Sequence, residues 1–374
     1  MTVSLDDFGL KKHEKGRDIC IISYTPHARQ KNAGLKAALQ KCGFRVSFAG
    51  DMNGLMKQYA DNWISFGRYR LLKELKKKAY FLFAAMVRKR DHSAGSYYIL
   101  TNYGRNYVWL YEAAQVKLQE MGALDRLFFY DVQNDRIIKY RKPALGYMEY
   151  HVSWHCNLKC KGCSHYSNLY DKPLFGDLEK YRKNLLRLSE LFDHILQIKL
   201  LGGEPFLNRQ IGDFVQATRE VFPDTDLRVT SNGLLIPTVD DTVLEILSRN
   251  HVTVEISNYP PTANVLDRIK QRLTNAGIPF IVSPEKHEFG YSFSGGRTDH
   301  TRQTFNHCPL KMCHFLHDDG SLSMCGIPLF YWEAKDKLKT EREVCVQGAS
   351  VYSDFGAQEN KILSLLPLFP IYLP

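Results

Sequence analysis

Residues 147–282 alternate short apolar runs with amphipathic runs, and this alternation leaves the chain few folds to choose from. The apolar runs predict five strands, and a helical pattern follows each of the first four. This order requires parallel strands joined by right-handed crossovers. Because fewer than eight repeats are visible, we expect a partial barrel or an open sheet, not a closed eight-fold barrel.

Glycine-rich and polar segments follow the predicted strands, at the edge where parallel strands place functional residues. The first strand leads into WHCNLKCKGCSHY, the second into GGEP, the third into SNG and the fourth into SNYPP. In isolation, SNG and GGEP are ordinary turn sequences. Their order at successive strand ends indicates a single site.

Three cysteines lie in the loop after the first of these strands. Cys156, Cys160 and Cys163 have the spacing C-x3-C-x2-C. Structural zinc generally takes four protein ligands, whereas three thiolates on a short loop suit a [4Fe–4S] cluster whose fourth iron is left open. A zinc site and three buried cysteines are the alternatives.

The same loop resembles the CxxxCxxC signature of the radical S-adenosylmethionine superfamily, and the resemblance covers roughly residues 145–285. It implies a partial (β/α)6-type parallel barrel and an open iron that chelates S-adenosylmethionine. It also implies reductive cleavage to methionine and a 5′-deoxyadenosyl radical, which abstracts a hydrogen atom from the substrate. A reductant such as flavodoxin or ferredoxin would supply the electron.

The resemblance also implies which residues contact S-adenosylmethionine. Gly202 and Gly203 would let the backbone approach the methionine ammonium, and Glu204 would balance its charge. The predicted contacts are Gly202, Gly203, Glu204, Pro205, Ser231, Asn232, Ile256, Asn258 and Tyr166. The chain departs from the family at Gly162, where a bulky residue usually covers the adenine, so Tyr166 or His165 is the candidate for that contact. No general acid or base is assigned.

Four more cysteines follow the repeats, at Cys308, Cys313, Cys325 and Cys345. Their arrangement around Gly320 resembles the start of the extensions called SPASM and twitch, which implies at most one auxiliary Fe–S cluster. Zinc, or no metal, is the alternative. The stretch HFLHDDGSLSMCG also predicts a plain hairpin with its turn at Asp319-Gly320.

The chain is expected to contain three domains. Residues 1–142 predict a Rossmann-like α/β domain without the GxGxxG spacing of a dinucleotide site. Residues 143–294 form the predicted radical S-adenosylmethionine core, and residues 295–374 a small cysteine-containing extension. Cys20 and Cys42 are interpreted as buried small hydrophobic residues.

Charge and composition limit the cellular setting. The net charge is +10, and residues 68–90 contain nine Lys or Arg against one acidic residue. This basic segment predicts a solvated helix, or attraction to an anionic membrane surface or a phosphorylated substrate. No clear nucleic-acid motif accompanies it. The N-terminus lacks an apolar signal sequence, so a cytoplasmic location is expected, with a peripheral position at the membrane as the alternative.

The leading functional hypothesis is a radical S-adenosylmethionine enzyme acting on a sugar nucleotide or glycoconjugate precursor. The Rossmann-like domain, the basic segment and the CSHYSN stretch favour this substrate class. A peptide- or protein-modifying maturase is the first alternative. A non-catalytic Fe–S redox sensor is the second, and it would need no S-adenosylmethionine site.

Overall fold

The computed structural model describes only part of the chain. The described residues are 18–22, 30, 32–49, 97–101, 111, 115, 118, 122–132, 135–139, 144–160, 162–287, 313–323, 326–327, 330 and 348–350. The predicted basic segment at residues 68–90, Cys308, Cys325 and Cys345 lie outside them. The chain divides into two compact units, Met1–Gly146 and Tyr147–Pro374.

The first unit is built on a five-stranded sheet with the order β2-β1-β3-β4-β5. Its elements are β1 (Asp18–Ile22), α1 (Ala33–Lys41), β2 (Arg45–Ala49), β3 (Tyr97–Thr101), β4 (Leu127–Asp131) and β5 (Arg136–Ile138). The first four strands are parallel, as the sequence predicts, and β5 runs antiparallel to β4. Cys20 is buried, whereas Cys42 at the end of α1 is only partly buried.

The second sheet has eight strands in the order β10-β9-β8-β7-β6-β11-β12-β13. Its first five strands are β6 (Ala144–Ser153), β7 (His194–Gly202), β8 (Asp226–Ser231), β9 (Thr253–Ile256) and β10 (Phe280–Val282). The helices between them are α2 (Leu178–Leu191), α3 (Ile211–Val221), α4 (Asp241–Arg249), α5 (Pro260–Ala263) and α6 (Leu266–Asn275). This βα alternation is the one predicted. However, β6 begins at Ala144, three residues before the predicted alternation starts at residue 147.

Two of the helices, α2 and α4, begin at an aspartate that caps the helix. The Asp177 carboxylate accepts hydrogen bonds from the backbone N–H groups of Glu179 and Lys180, both at 3.1 Å, and so fixes the start of α2. The buried side chains of α2 are Tyr181, Asn184, Leu185 and Leu188. Asp240 caps α4 in the same way. Among the residues described, no helix has the length and apolar character needed to cross a bilayer.

The predicted hairpin forms, and it joins the second sheet. β11 (Phe315–Leu316) and β12 (Ser321–Ser323) are antiparallel, and Gly320 takes a φ of +81° in their turn. β11 pairs in parallel with β6, with Phe315 opposite Glu149, and β13 (Gly348–Ser350) pairs with β12. A further parallel strand therefore lies beside the first strand of the repeat and not after the fifth.

Candidate functional site

The structure brings the predicted strand-end loops together at the carboxyl ends of β6, β7 and β8. The backbone N–H of Gly203 donates to the carbonyl of Ser153 at 2.7 Å, and that of Glu204 donates to the carbonyl of His155 at 2.9 Å. These bonds join the GGEP loop to the start of the cysteine loop. The loop after β7 therefore fixes the start of the cysteine loop after β6.

Gly202 and Gly203 allow this close approach. A Cβ atom at Gly203 would lie 2.1 Å from the carbonyl oxygen of His155 and 2.9 Å from the backbone nitrogen of Cys156. At Gly202, where φ is +132°, it would lie 2.0 Å from the carbonyl oxygen of Ser153. The space that these glycines leave open is thus filled by the chain's own backbone. The predicted role of these glycines, an approach of the backbone to the methionine ammonium, stays a prediction.

Glu204 is a fully buried carboxylate at the centre of the strand ends. It accepts hydrogen bonds from the Ser231 hydroxyl at 2.7 Å, the Asn232 backbone N–H at 2.9 Å and the Phe206 backbone N–H at 3.2 Å. Burial raises its pKa to about 7, although the three hydrogen bonds oppose that shift. Glu204 therefore ties the GGEP loop to the SNG loop. Pro205 is buried beside it.

Ser231 and Asn232 also make internal bonds. The Ser231 hydroxyl accepts from the Gly233 backbone N–H at 2.8 Å while it donates to Glu204. The Asn232 amide donates to Asn157 Oδ1 at 2.7 Å, and its Nδ2 lies 3.8 Å from Cys156 Sγ. A ribose contact by either side chain would replace or share one of these bonds. Their present effect is to hold the SNG loop against the cysteine loop.

The three cysteines lie on one tight, partly buried loop. The backbone N–H of Cys163 donates to the carbonyl of Cys160 at 3.3 Å, and Cys156 Sγ accepts from the Leu158 N–H at 3.3 Å. Burial raises the pKa of Cys156 to about 11, and it raises the pKa of Cys160, with a further contribution from Cys163. Among the residues described, no group of three or more His, Cys, Asp or Glu side chains is arranged so that it could hold a metal ion. Ligation by these thiols therefore stays a prediction, to which their chemistry is suited.

Asn258 offers an unused polar atom at the end of β9. Its backbone is fixed, because its N–H donates to the Ser283 hydroxyl at 3.0 Å and its carbonyl accepts from Lys286 at 2.9 Å. Its side-chain Oδ1 is buried and makes no hydrogen bond with any residue that the structure describes. Such an atom suits a ligand with an N–H or O–H donor, and the contact of Asn258 with S-adenosylmethionine stays a prediction. Ile256, two residues earlier at the end of β9, is buried and lies near Gly233.

Tyr166 and His165 lie against an aromatic cluster formed by Trp154, Tyr170, Phe315 and Phe330. Tyr166 has a left-handed φ of 54° and packs on this cluster. His165 Nδ1 lies 2.8 Å from His151 Nε2, and burial lowers the pKa of His165 to about 4. His165 therefore packs against His151 of β6 and Phe330, whereas Tyr166 packs on the aromatic cluster.

The described part of the C-terminal extension contains only one of the four cysteines assigned to an auxiliary cluster, Cys313, which is partly buried. The auxiliary cluster is consequently still a prediction. A groove of about 550 Å³ lies between α4 and α6. None of the predicted site residues lines it, so the groove is separate from the strand-end assembly.

One face of the second sheet carries a group of charged side chains that was not predicted from the sequence. They include Lys199 of β7, Arg228 of β8 and Glu255 of β9, and Glu255 forms an ion pair with each of the two cations. The sequence contains a pattern that marks these three residues. Each is a charged residue between two apolar neighbours within a predicted strand.

A family model described as a 4Fe-4S single cluster domain matches residues 146–273, about a third of the chain. Two of the similar curated proteins are GTP 3′,8-cyclases. That of Alkaliphilus oremlandii is 26% identical over 123 residues, which are 30% of this chain and 36% of that protein. That of Sulfurimonas denitrificans is 28% identical over 148 residues, which are 35% of this chain and 44% of that protein. The chain spans less than half the length of these relatives.

Solved structures with a similar arrangement include native anSMEcpe with bound AdoMet. That alignment covers 50% of this chain and 75% of the other, with 16% identity and a TM-score of 0.36. BtrN in complex with AdoMet and 2-DOIA covers 59% of this chain and 82% of its own, with 16% identity and a TM-score of 0.37. TM-scores this low support no conclusion about this chain.

Proposed function

We propose that this chain, which belongs to the radical S-adenosylmethionine superfamily, is an enzyme that cleaves S-adenosylmethionine reductively and abstracts a hydrogen atom from its substrate. The observation that carries the proposal is the assembly of the strand ends. Glu204 bonds to the SNG loop, and its backbone bonds to the start of the loop that carries Cys156, Cys160 and Cys163. Three separate sequence motifs thereby form one structure.

The chain's own residues have distinct tasks in this proposal. The [4Fe–4S] cluster, when bound, supplies the electron that breaks the sulfonium bond. Cys156, Cys160 and Cys163 would hold it, and Asn258 Oδ1 would accept a hydrogen bond from S-adenosylmethionine. Glu204 holds the GGEP and SNG loops together, because all three of its hydrogen bonds go to protein groups. Flavodoxin or ferredoxin is the proposed reductant.

The substrate class and the barrel shape are finer parts of the proposal. We propose a sugar nucleotide or glycoconjugate precursor as the substrate and a partial (β/α)6-type barrel as the core. The parallel strand order β2-β1-β3-β4 of the first unit supports a nucleotide-binding role for that unit, because doubly wound sheets commonly bind nucleotides. The five parallel strands β6 to β10, in sequence order, support the barrel.

Anaerobic reconstitution with iron and sulfide, followed by turnover with dithionite and S-adenosylmethionine, tests the proposal. The wild type should form 5′-deoxyadenosine, and Cys156→Ala, Cys160→Ala and Cys163→Ala should each form none. Cys42→Ala is the matched control and should behave as the wild type. About four irons per chain indicate one cluster, and about eight indicate the auxiliary cluster as well. Iron loading without any 5′-deoxyadenosine would contradict the enzyme and favour the redox sensor.

A further inference from the structure

The two faces of the second sheet differ in what they contact. On β6, Tyr150 packs against the helices, with ring centroids 4.3 Å from Tyr181 of α2 and 5.7 Å from Phe214 of α3. Tyr147 points the other way, because strand residues alternate between faces. The ammonium of Lys199 lies 5.6 Å from the centre of the Tyr147 ring. Lys199 is therefore on the face opposite α2 and α3.

That face carries a connected set of charges across three strands. Lys199 Nζ lies 2.6 Å from Glu255 Oε2, and Arg228 NH1 lies 2.6 Å from Glu255 Oε1. Arg228 also pairs with Asp226 at 2.6 Å. Lys199 and Arg228 are direct partners in the β7–β8 register. The two cations thus lie side by side, and Glu255 bridges them.

Such a face is unusual for a parallel sheet. Parallel strands normally have apolar residues on both faces, because helices cover both. Charges enclosed away from water cost several kcal/mol each, even when they are paired. Here the side chains of Lys199 and Glu255 each keep 19% of their surface exposed, and that of Arg228 keeps 12%. The charged face is therefore a recess that water reaches.

The hydrogen bonds show which groups of this recess can still bind a ligand. Glu255 already accepts from Arg228, Lys199 and the Thr230 hydroxyl, and Asp226 accepts from Arg228 and Gln197. A lysine has three N–H donors and an arginine has five. Within the described residues, Lys199 uses one of its donors and Arg228 uses three. Two donors on each cation thus have no partner among the described residues and can bind a ligand, whereas the carboxylates already accept several hydrogen bonds.

The recess is on the same face as the cysteine loop. His151 follows Tyr147 and Glu149 on that face of β6, and its ring contacts His165 in the cysteine loop at 2.8 Å. Lys199 precedes the end of β7 by three residues. At about 3.3 Å per strand residue, it lies about 10 Å below the strand ends. A substrate group held there leaves the rest of a small molecule within reach of the strand ends.

We propose that Lys199 and Arg228 bind an anionic group of the substrate, a phosphate or a carboxylate, on this face. The inference rests on the proposed function, since it names the substrate class of that enzyme. Cationic N–H donors with unfilled capacity are the usual partners of phosphate and carboxylate oxygens. Glu255 acts as a positioning residue that holds both cations in place and screens part of their charge.

Calorimetric titration of the reconstituted full chain with inorganic pyrophosphate and, separately, with succinate tests this site. Lys199→Met should weaken binding about tenfold. Lys199→Arg should keep most of the wild-type affinity, because the cation is kept. Lys180→Met, which removes a lysine from α2 on the opposite side of the sheet, is the matched control and should change little. Glu255→Gln should tighten binding severalfold, because the amide oxygen still accepts a hydrogen bond from a cation while the charge that competes with the anion is removed.

The results separate the outcomes. Binding of pyrophosphate alone assigns a phosphorylated substrate, and binding of succinate alone assigns a carboxylate. Binding of neither probe, or equal weakening by Lys199→Met and Lys180→Met, overturns the inference. A tightened Glu255→Gln variant cannot be explained by misfolding. If 5′-deoxyadenosine forms without anion binding, the inference fails and the proposed function stands. If the anion binds through Lys199 but no 5′-deoxyadenosine forms, the anion site stands and the proposed function fails.

Discussion

The sheets of the two units are both largely parallel, but they use their faces differently. In the first unit, every residue of β3 and β4 is buried, and Ile99 and Phe128 form part of a core cluster. In the second unit, β8 and β9 alternate buried and partly exposed residues. A sheet buried on both faces has only its strand ends for chemistry. A sheet with one polar face has a second surface for a ligand, next to its strand ends.

The largest effect is expected at the strand ends of the second sheet. Gly203→Ala would place a Cβ atom 2.1 Å from the His155 carbonyl oxygen, which is rigid backbone. The GGEP loop must then separate from the cysteine loop. We expect iron content after reconstitution to fall at least about tenfold and the unfolding free energy to fall by about 4 kcal/mol.

Gly212→Ala is the control for this change. It places a Cβ atom 2.9 Å from Ile246 Cδ1, the mobile end of a side chain between α3 and α4. In a helix, alanine is favoured over glycine by about 1 kcal/mol, which offsets the contact. Iron content should stay at the wild-type level. Equal iron loss in both variants would show that the close approach at Gly203 is unimportant.

In the first unit, Phe128→Ala should reduce stability without changing the chemistry. Phe128 is fully buried and makes an edge contact with Tyr97 at 5.8 Å. Its removal leaves a cavity that costs about 3–5 kcal/mol of unfolding free energy. Chemical denaturation measures this loss. The 5′-deoxyadenosine formed per folded chain should be unchanged, and a parallel loss of activity would refute the contrast between the sheets.

The charged face should make the second unit sensitive to acid. Burial alone would raise the pKa of Glu255, but the charges and hydrogen bonds of Lys199 and Arg228 outweigh it and lower the pKa to about 2. A carboxylate with a depressed pKa stabilises the fold above its ordinary pKa of 4.5 and loses that contribution as pH falls towards 2. The contribution at neutral pH is about 3 kcal/mol.

Urea unfolding of the metal-free full chain between pH 7 and pH 2 tests this linkage. The wild type should lose stability through that window, and Glu255→Gln should begin lower and lose less. Using the metal-free chain removes any effect of cluster loss in acid. Parallel pH profiles for the two proteins would mean that the ion pairs do not stabilise the folded state.

The sequence predicted those features that depend on neighbouring residues. Strand and helix periodicity located β7 to β10, and the Asp319-Gly320 pair located the hairpin turn. Two features of the hairpin depend on distant pairing, and the sequence did not reveal them. β11 adds to β6, and the Tyr150 hydroxyl donates to Asp318. Nothing in a local pattern specifies which strand edge accepts a hairpin.

For the site, residue types predicted the loops but not the direction of their side chains. Glu204 and Ser231 were assigned to the ligand because such groups commonly bind one. In the structure they bond to each other at 2.7 Å, since a buried carboxylate requires donors and the SNG loop supplies them. The charged face was missed because ion pairs between strands depend on strand order and register, which the sequence does not give.

The smallest effect is predicted for a change on the helix-covered face of the second sheet. This change tests whether that face and the charged face act independently. Tyr181 is fully buried there, and its hydroxyl hydrogen-bonds to Thr218 at 2.8 Å. Tyr181→Phe removes this bond, but Thr218 keeps its bond to the Phe214 carbonyl. We therefore expect a loss of only about 1 kcal/mol by denaturation, with pyrophosphate binding unchanged. Altered anion binding would show that the two faces are coupled, because no ligand on the charged face touches Tyr181.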